Sequence, residues 1–353
     1  MFSIYADDVL VFSSRDPNAT MRHITSPQAN GEIGRAGGLT FTILPTHPAY
    51  STIRKFKTKI TAKLNTRLIF IGRVIDDSKD IYNVRKVTCE GALSFLLDSV
   101  QSPRPGNVTV RHFLTSCLAE HNQQVEDSKK FTIGNVTIPE AEEEINQNID
   151  SYQDTKSALE KFLVGVYGGY LVVRTEASGN YIDYLKEYPT TQSAQEIRLK
   201  KNLLDITQKE SVANIFTILL PVGKYPDDYV GQIPEDGVMD ISSVNGGNKY
   251  IEHTGSIAKY GRIVRVEQFN NPKSPQELLT AAQAFMARHL DPNPTHLTVK
   301  VIDLHLLDNS IEQFILGNKY RIISDSNNID ITLTLVAIKW DFQNPENTEL
   351  TLE

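Results

Sequence analysis

The sequence of 353 residues is poor in cysteine and tryptophan, with two cysteines and one tryptophan. Cys89 and Cys117 are too few for a disulfide framework, and this usage fits synthesis in a reducing compartment. No apolar run approaches the roughly 20 residues that a membrane-spanning helix needs. The N-terminal stretch MFSIYADDVLVF lacks the basic residues of a signal peptide. We therefore expect neither a secretory leader nor a stable membrane anchor.

Basic residues are not in excess, because 36 Lys and Arg face 43 Asp and Glu, which gives a formal net charge of −7. A protein that coats nucleic acid needs a basic surface, so this balance argues against such a role. It still allows DNA to pass close to the protein without sticking. The length exceeds what one hydrophobic core usually supports, and two or three domains are expected.

Motifs that carry chemistry are also missing, since the sequence has neither HExxH nor GxSxG. The glycine-rich segment GEIGRAGG at 31–38 precedes a predicted strand and lacks the Lys-Ser/Thr of a phosphate-binding loop. Cys117 and His121 are spaced as half of a zinc site, but no second pair of ligands accompanies them. Neither cysteine begins a helix, where the pKa of a thiol falls. We predict no catalytic, cofactor-binding or metal-binding residues, and no cofactor.

Strand patterns dominate what the sequence does contain. The segment 37–77 alternates apolar and polar residues and predicts three strands, at Leu39–Leu44, Phe56–Lys63 and Leu68–Ile75. A similar order of elements recurs in Leu297–Leu352, which includes the long predicted strand Ile331–Trp340. This order indicates a faint internal duplication of a β-domain.

Helical patterns begin after the Pro- and Gly-rich linker at 102–106. Helices are predicted over Val110–Glu120 and about Asp154–Tyr167, followed by a hairpin. A further helix starts at Ser274, where Ser, Pro and Glu form a capping box. The residues 222–261 are predicted to form an extended surface loop. The fold class is therefore α+β, mainly β.

Four lysines occur at alternate positions in and before the second predicted strand: Lys55, Lys57, Lys59 and Lys63. The alternation would place them on one side of the strand. Lysines at such positions often protect an edge strand from unwanted pairing. The functional alternative is a face that contacts a neighbouring subunit or lines a channel. We keep the four as a candidate subunit or tube contact face.

A series of short motifs follows a set order along nearly the whole chain. The motifs are His47-Pro48-x-Tyr50, Leu68–Ile71 running into Gly72-Arg73, Cys89-Glu90-Gly91, Leu97-Asp98-Ser99, Asn214–Thr217, Leu220-Pro221-x-Gly223-Lys224, Lys249-Tyr250-Ile251 and Leu316–Lys319. In this order the motifs resemble the phage tail-associated hub proteins, known as the prophage endopeptidase tail or minor structural protein family and similar to baseplate central hubs. Their order makes the resemblance specific.

The resemblance implies two β-barrel-like domains with a discontinuous α+β domain between them. The first barrel would cover 1–101, and the second would combine 199–224 with 294–353. The α+β domain would combine 102–198 with 225–293. A trimer of such subunits would present six barrels to a six-fold tail tube and a three-fold face to the tip.

The resemblance also implies a structural, non-enzymatic protein at the virion tail tip, made in the bacterial host cytoplasm. It would close the tail tube and open for DNA ejection. The expected partners are two further copies, the distal tail protein or tail tube ring, the tape measure protein, receptor-binding proteins and passing phage DNA. Some family members carry a lytic C-terminal extension, which this chain, ending at Glu353, is expected to lack. The alternative is a tail-associated cell-wall peptidase or hydrolase acting during infection.

Overall fold

The computed structural model of the chain describes residues 1–15, 24–105, 107–139, 141–142, 144–146, 148–176, 178–210, 215–226, 229–231, 233–234, 237–269, 272–289 and 295–353. Strands dominate these residues and short helices connect them. The predicted class, α+β and mainly β, is confirmed. In the described part of the chain, every helix is too short or too polar to cross a membrane.

The strands follow in chain order, first those up to residue 154 and then the remainder. The first group is β1 (Phe2–Ala6), β2 (Val9–Ser13), β3 (Ile24–Glu32), β4 (Gly38–Ile43), β5 (Lys59–Leu64), β6 (Arg67–Lys79), β7 (Arg85–Gly91), β8 (Val100–Gln101), β9 (Asn107–Thr109), β10 (Phe131–Val136), β11 (Glu144–Asn146) and β12 (Gln153–Asp154). The second group is β13 (Tyr170–Glu176), β14 (Gly179–Leu185), β15 (Ile197–Arg198), β16 (Leu203–Glu210), β17 (Ile218–Lys224), β18 (Val238–Met239), β19 (Ile251–Glu252), β20 (Val264–Phe269), β21 (Thr295–Val301), β22 (Lys319–Ser324), β23 (Ile329–Asp341) and β24 (Thr348–Leu352).

The α-helices are α1 (Val110–Gln124), α2 (Thr155–Leu159), α3 (Gly165–Tyr167), α4 (Thr254–Tyr260) and α5 (Pro275–His289). A π-helical turn, Glu160–Val164, joins α2 to α3. Short 3₁₀ turns include Ala92–Asp98 directly after β7 and Leu304–Leu306 after β21.

The described residues form two compact units, Met1–Thr207 with Leu297–Glu353 as the first, and Gln208–His296 as the second. The three-domain division expected from the resemblance stays a prediction. Within the second unit, β17 pairs with β18, β19 and β20, and α5 packs on this sheet through Ala282 and Met286. Ser274 caps α5 by accepting a hydrogen bond from the Glu277 backbone N–H at 3.3 Å, as the capping box predicts.

One sheet runs through the first unit and combines both ends of the chain. Its order is β16-β21-β24-β23-β3-β4-β7-β6-β5-β1-β2, and β22 also pairs with β23. Strands β1 to β7 make up its first half, and β15, β16 and β21 to β24 make up its second half. The halves meet where β3 pairs antiparallel with β23, placing Ala29 opposite Trp340. Each half contains one strand of 13 residues, β6 and β23.

The sheet curls around a single hydrophobic core that both halves supply. The pattern of β4 explains one contribution, because Leu39, Phe41 and Ile43 are buried while the residues between them are half-buried. The rings of Phe2 from the first half and Phe342, which follows β23, stack with centroids 4.5 Å apart. Burial of each such side chain stabilises the fold by about 1.5–3 kcal/mol.

A second core in the same unit joins α1 and α2 to the sheet β10-β14-β13. The predicted helix at Val110–Glu120 is confirmed and extends to Gln124. The Thr109 side chain caps it by accepting a hydrogen bond from the His112 backbone N–H. The predicted hairpin is also present as β13 and β14.

Two predicted elements differ from the structure. The strand expected from Phe56 begins only at Lys59, because Phe56 has a left-handed φ of 59° that interrupts an extended chain. The predicted loop at 222–261 contains β18, β19 and α4.

Candidate contact surface at the β6–β7 hairpin

The four lysines of the predicted contact face do not share one strand. Lys59 and Lys63 lie in β5, but Lys55 and Lys57 lie in the turn before it. The left-handed backbone at Phe56 breaks the alternation on which the one-sided face depended. Their role as a contact face stays a prediction.

Two of these lysines are held by carboxylates of the same chain. The Lys55 Nζ lies 3.0 Å from Asp76 Oδ1 and 2.9 Å from Asp77 Oδ1. Hydrogen bonds to these two carboxylates raise the pKa of Lys55. The Lys59 Nζ lies 3.1 Å from the Asp8 carboxylate. Lys55 therefore supports β6, in which both of its partners lie.

The other two lysines have different surroundings. The Lys63 Nζ lies 5.0 Å from the centroid of the Tyr5 ring, within range of a cation–π contact. Lys57 is exposed and lines a small cleft beside Phe56 and Arg73. Of the four lysines, Lys57 is thus the one that a partner could bind without first breaking one of these ion-pair or cation–π contacts.

The hairpin of β6 and β7 ends in a turn with a fixed backbone. One Asp80 carboxylate oxygen accepts the backbone N–H groups of Tyr82, at 2.9 Å, and Val84, at 2.8 Å. The Asp80 N–H donates to the Val84 carbonyl at 3.1 Å, and Asn83 has a left-handed φ of 59°. Aspartate and asparagine favour such turns because their short side chains bond to the local backbone.

This turn presents two large apolar side chains to solvent. Ile81 is 87% exposed and Tyr82 is 75% exposed. Aromatic side chains held rigidly at a surface are common anchors of protein–protein contacts. The sequence analysis missed these residues, although the segment Asp80-Ile81-Tyr82-Asn83 is itself a turn signal around two apolar residues.

The segment that follows β4 braces the hairpin. The Tyr50 hydroxyl donates to the Asn83 carbonyl at 2.5 Å, and the Arg85 guanidinium donates to the Tyr50 carbonyl at 3.0 Å. Arg85 also donates to Asp77 Oδ2 at 2.5 Å. Burial acts to raise the pKa of Asp77, but hydrogen bonds from Lys55 and Arg85 outweigh it and lower that pKa. The tip is therefore held in place before any partner binds.

The His47-Pro48-x-Tyr50 motif supplies the other end of this brace. The His47 Nδ1 accepts the Ala49 backbone N–H at 3.0 Å, so its Nε2 is the donor to the Val11 carbonyl at 3.0 Å. His47 thus attaches the segment to β2, while Tyr50 attaches it to the hairpin tip. The motif is thus explained by the hydrogen bonds through which His47 and Tyr50 link β2 to the hairpin tip.

A partly buried ion cluster lies at the base of the hairpin. Arg73 of β6 donates to Glu90 Oε1 at 2.8 Å and also pairs with Asp98. The Lys129 Nζ lies 2.9 Å from the same Asp98 carboxylate. Burial acts to raise the pKa of Asp98, and the hydrogen bonds from Arg73 and Lys129 reverse this and lower it. The cluster ties β6 and β7 to the turn after β7.

The two cysteines are poor nucleophiles in this fold. Burial raises the pKa of the Cys89 thiol, and burial raises the pKa of Cys117 to about 12 although Arg104 acts against it. His121 does not face Cys117 as a zinc ligand would, since its Nδ1 lies 2.6 Å from Ser99 Oγ and its Nε2 lies 3.1 Å from the Lys129 carbonyl. The residues that the structure describes contain no group of three or more metal-ligating side chains.

The comparison with protein families gives a match in the second part of the chain. Residues 191–353 match the family described as prophage endopeptidase tail. This match covers a little under half of the chain. It agrees with the resemblance inferred from the motifs, and the two together support a phage tail-associated protein with a structural role in the tail. None of the curated proteins matches its sequence.

Solved structures of tail proteins share the fold of this chain. A 43 kDa tail protein of prophage MuSo2 from Shewanella oneidensis has 10% identity and a TM-score of 0.64, over 100% of this chain and 97% of that chain. A tail protein from Neisseria meningitidis MC58 has 13% identity and a TM-score of 0.64, over 99% and 95%. The prophage tail protein gp18 from Listeria monocytogenes EGD-e has 13% identity and a TM-score of 0.58, over 99% and 93%. At such low identity, these likenesses establish the fold alone.

Proposed function

We propose that the tail protein is a hub of the virion tail tip, in which three copies form a ring that closes the tail tube. The observation that carries this proposal is the division of one sheet into two joined halves, each built around a 13-residue strand. Three copies would carry six such halves. A ring of this kind can match a six-fold tube on one side and a three-fold tip on the other.

The hub would contact the tail tube ring or distal tail protein through the β6–β7 tip. Ile81 and Tyr82 offer apolar area, and the brace removes part of the ordering entropy that a flexible loop would lose on binding. The tape measure protein and receptor-binding proteins are the further partners of such a hub.

Opening of the ring would let phage DNA pass during ejection. The acidic balance of the chain, with a formal net charge of −7, fits a channel wall that phosphate groups slide past. The proposed site of action is the virion tail tip, after synthesis in the bacterial host cytoplasm.

A cell-wall peptidase or hydrolase is the rival function. A cysteine peptidase would need a reactive thiolate, but burial raises the pKa of both thiols. Incubation of the purified protein with host peptidoglycan decides between the two. Release of cell-wall fragments that is lost on Cys89→Ser or Cys117→Ser would contradict a purely structural role.

Light scattering on the purified chain tests the ring. Trimers should give a mass of about 119 kDa, three times the 39.6 kDa of one chain. Addition of tail tube protein should raise the mass further for the native chain. The variant Leu307→Ser, which changes another exposed apolar residue, is the matched control for the double variant Ile81→Ser/Tyr82→Ser. Tube binding unaffected by the double variant would refute the role of the tip.

A further inference from the structure

A cleft of about 300 Å³ opens in the first unit, away from the hairpin tip. The glycine-rich loop between β3 and β4 forms one wall, and parts of β6 and β13 form two others. The residues after β7 form its floor. Its apolar lining includes Leu68–Ile71, Leu171–Val173, Ala92, Leu93 and Leu316, and its polar lining includes Asn30, Glu32, Arg35, Thr175 and Tyr188.

The two strands face the cleft with their edges. Neighbouring side chains of a strand point to opposite faces of the sheet, so a cleft against one face meets only every second residue. Here four consecutive residues of β6, Leu68–Ile71, line the cleft, and so do three consecutive residues of β13, Leu171–Val173. The cleft therefore lies beside the backbones of both strands.

Both edges are open in the described part of the chain. Strand β6 pairs with β5 along its first half, but its pairing with β7 starts only at Gly72, opposite Gly91. Strand β7 ends there because the chain turns into the 3₁₀ segment Ala92–Asp98. Strand β13 pairs with β14 on one side, and no other ladder among the described residues includes it.

Glycine keeps the wall of the cleft close to the end of β7. Gly37 has a left-handed φ of 72°, and a Cβ there would lie 2.7 Å from the Asn30 carbonyl oxygen. The Gly91 N–H donates to the Gly37 carbonyl at 3.1 Å. A Cβ on Gly91 would lie 1.6 Å from the Ala36 carbonyl oxygen, so a larger residue would displace the loop.

Charges that normally protect open edges are directed elsewhere. Arg67 precedes the open part of β6, but its guanidinium donates to the Phe314 carbonyl at 3.1 Å. Arg174 follows the open part of β13, but it pairs with Asp183 at 2.9 Å and also with Glu176. The open parts themselves, Leu68–Ile71 of β6 and Leu171–Val173 of β13, carry only apolar side chains. They lack the lysine or proline that usually prevents pairing with another strand.

We propose that this cleft binds an extended peptide segment of another protein by strand addition. A peptide backbone offers donors and acceptors on both of its sides, which is the complement that two open edges require. Ala92 and Leu93 on the floor are buried and apolar. The bound segment would therefore carry small or apolar side chains, without charge at its centre. This site does not depend on the trimeric ring and would exist in a single chain.

Hydrogen exchange with mass spectrometry tests the site on the full chain. The probe is a pool of acetylated, amidated hexapeptides with Val or Ala at every second position and Thr or Ser between them. Protection is expected at the backbone amides that point into the cleft, in Leu68–Ile71 and Leu171–Thr175. With free peptide at about ten times its Kd, these amides should exchange about tenfold more slowly than in the chain alone. The same pool with alternate backbone nitrogens methylated should give no protection, because it has lost the donors of one edge.

Two variants separate binding from folding. Val172→Glu places a charge in the wall of the cleft and should abolish the protection, and its unchanged exchange elsewhere would show that it folds. Val264→Glu is the matched control, because Val264 is a strand residue of the second unit and is 61% exposed. The proposal is overturned if the peptide pool protects neither segment, or protects Val172→Glu equally. Protection that grows with protein concentration in the absence of peptide would also overturn it, since the occupant would then be a second copy.

Discussion

Replacement of Phe342 by alanine tests whether the two halves of the sheet share one core. Phe342 follows β23 in the second half, is fully buried, and stacks on Phe2 of the first half at 4.5 Å. Truncation of a buried phenylalanine lowers the free energy of unfolding by about 3–5 kcal/mol, because the removed atoms leave a cavity. That is a large fraction of the roughly 5–15 kcal/mol by which domains are stable.

The expected shift is large enough to measure in the intact chain. For a unit of this size, each kcal/mol lowers Tm by about 2–4 °C, so Phe342→Ala should lower Tm by about 6–20 °C. Trp340 is the single tryptophan, lies in β23 and is buried, so its fluorescence reports unfolding of the second half. Hydrogen exchange in β4 and β7 reports the first half.

A shared core predicts that both probes shift together in Phe342→Ala. Leu307→Ala is the control, because Leu307 is 79% exposed and its truncation should change stability by less than about 0.5 kcal/mol. A loss below about 1 kcal/mol in Phe342→Ala would refute the argument. Faster exchange confined to the second half would refute it as well, because the halves would then be independent.

Three further predictions concern the tip, its brace and a buried histidine. Ile81→Ser/Tyr82→Ser should leave Tm within about 1–2 °C of the native value, because both side chains are exposed, and a larger drop in calorimetry would contradict their solvent-facing position. Arg85→Met should lower the free energy of unfolding in urea by about 3 kcal/mol and speed amide hydrogen exchange at the tip, because it removes an ion-pair partner of the partly buried Asp77. Lys55→Met removes the more exposed partner of the same carboxylate and should lower the free energy of unfolding far less. Burial lowers the pKa of His121 below its usual 6.5, so the unfolded state binds more protons than the folded state once the pH falls below 6.5. The free energy of unfolding should therefore decrease as the pH falls through this range. His121→Gln should lose this part of the pH dependence, and an unchanged pH profile of its stability would contradict the argument.

Local signals in the sequence predicted local structure well. The alternation in β4, the helical pattern over Val110–Glu120 and the capping box at Ser274 each correspond to an element of the structure. In these cases neighbouring residues determine the backbone conformation, so that the pattern is sufficient.

Features that depend on distant residues were not predictable in the same way. The pairing of β3 with β23 joins opposite ends of the chain, and no local pattern in Ala29 or Trp340 specifies the other strand. The left-handed φ of Phe56 is uncommon for an aromatic residue and moved Lys55 and Lys57 out of β5. The open edge at Leu68–Ile71 arises from where β7 stops, and the open edge at Leu171–Val173 arises because β13 pairs only with β14 among the described strands; both depend on the folded chain.

Images of the purified chain test the proposed ring most directly. Averaged end-on views from electron cryo-microscopy should show three-fold symmetry with six similar lobes around a central channel, two lobes from each chain. The two halves of the large sheet would account for each pair of lobes. Single particles of 39.6 kDa at high concentration, with tail tube protein present, would contradict the account. A closed ring with a number of chains other than three would contradict it equally.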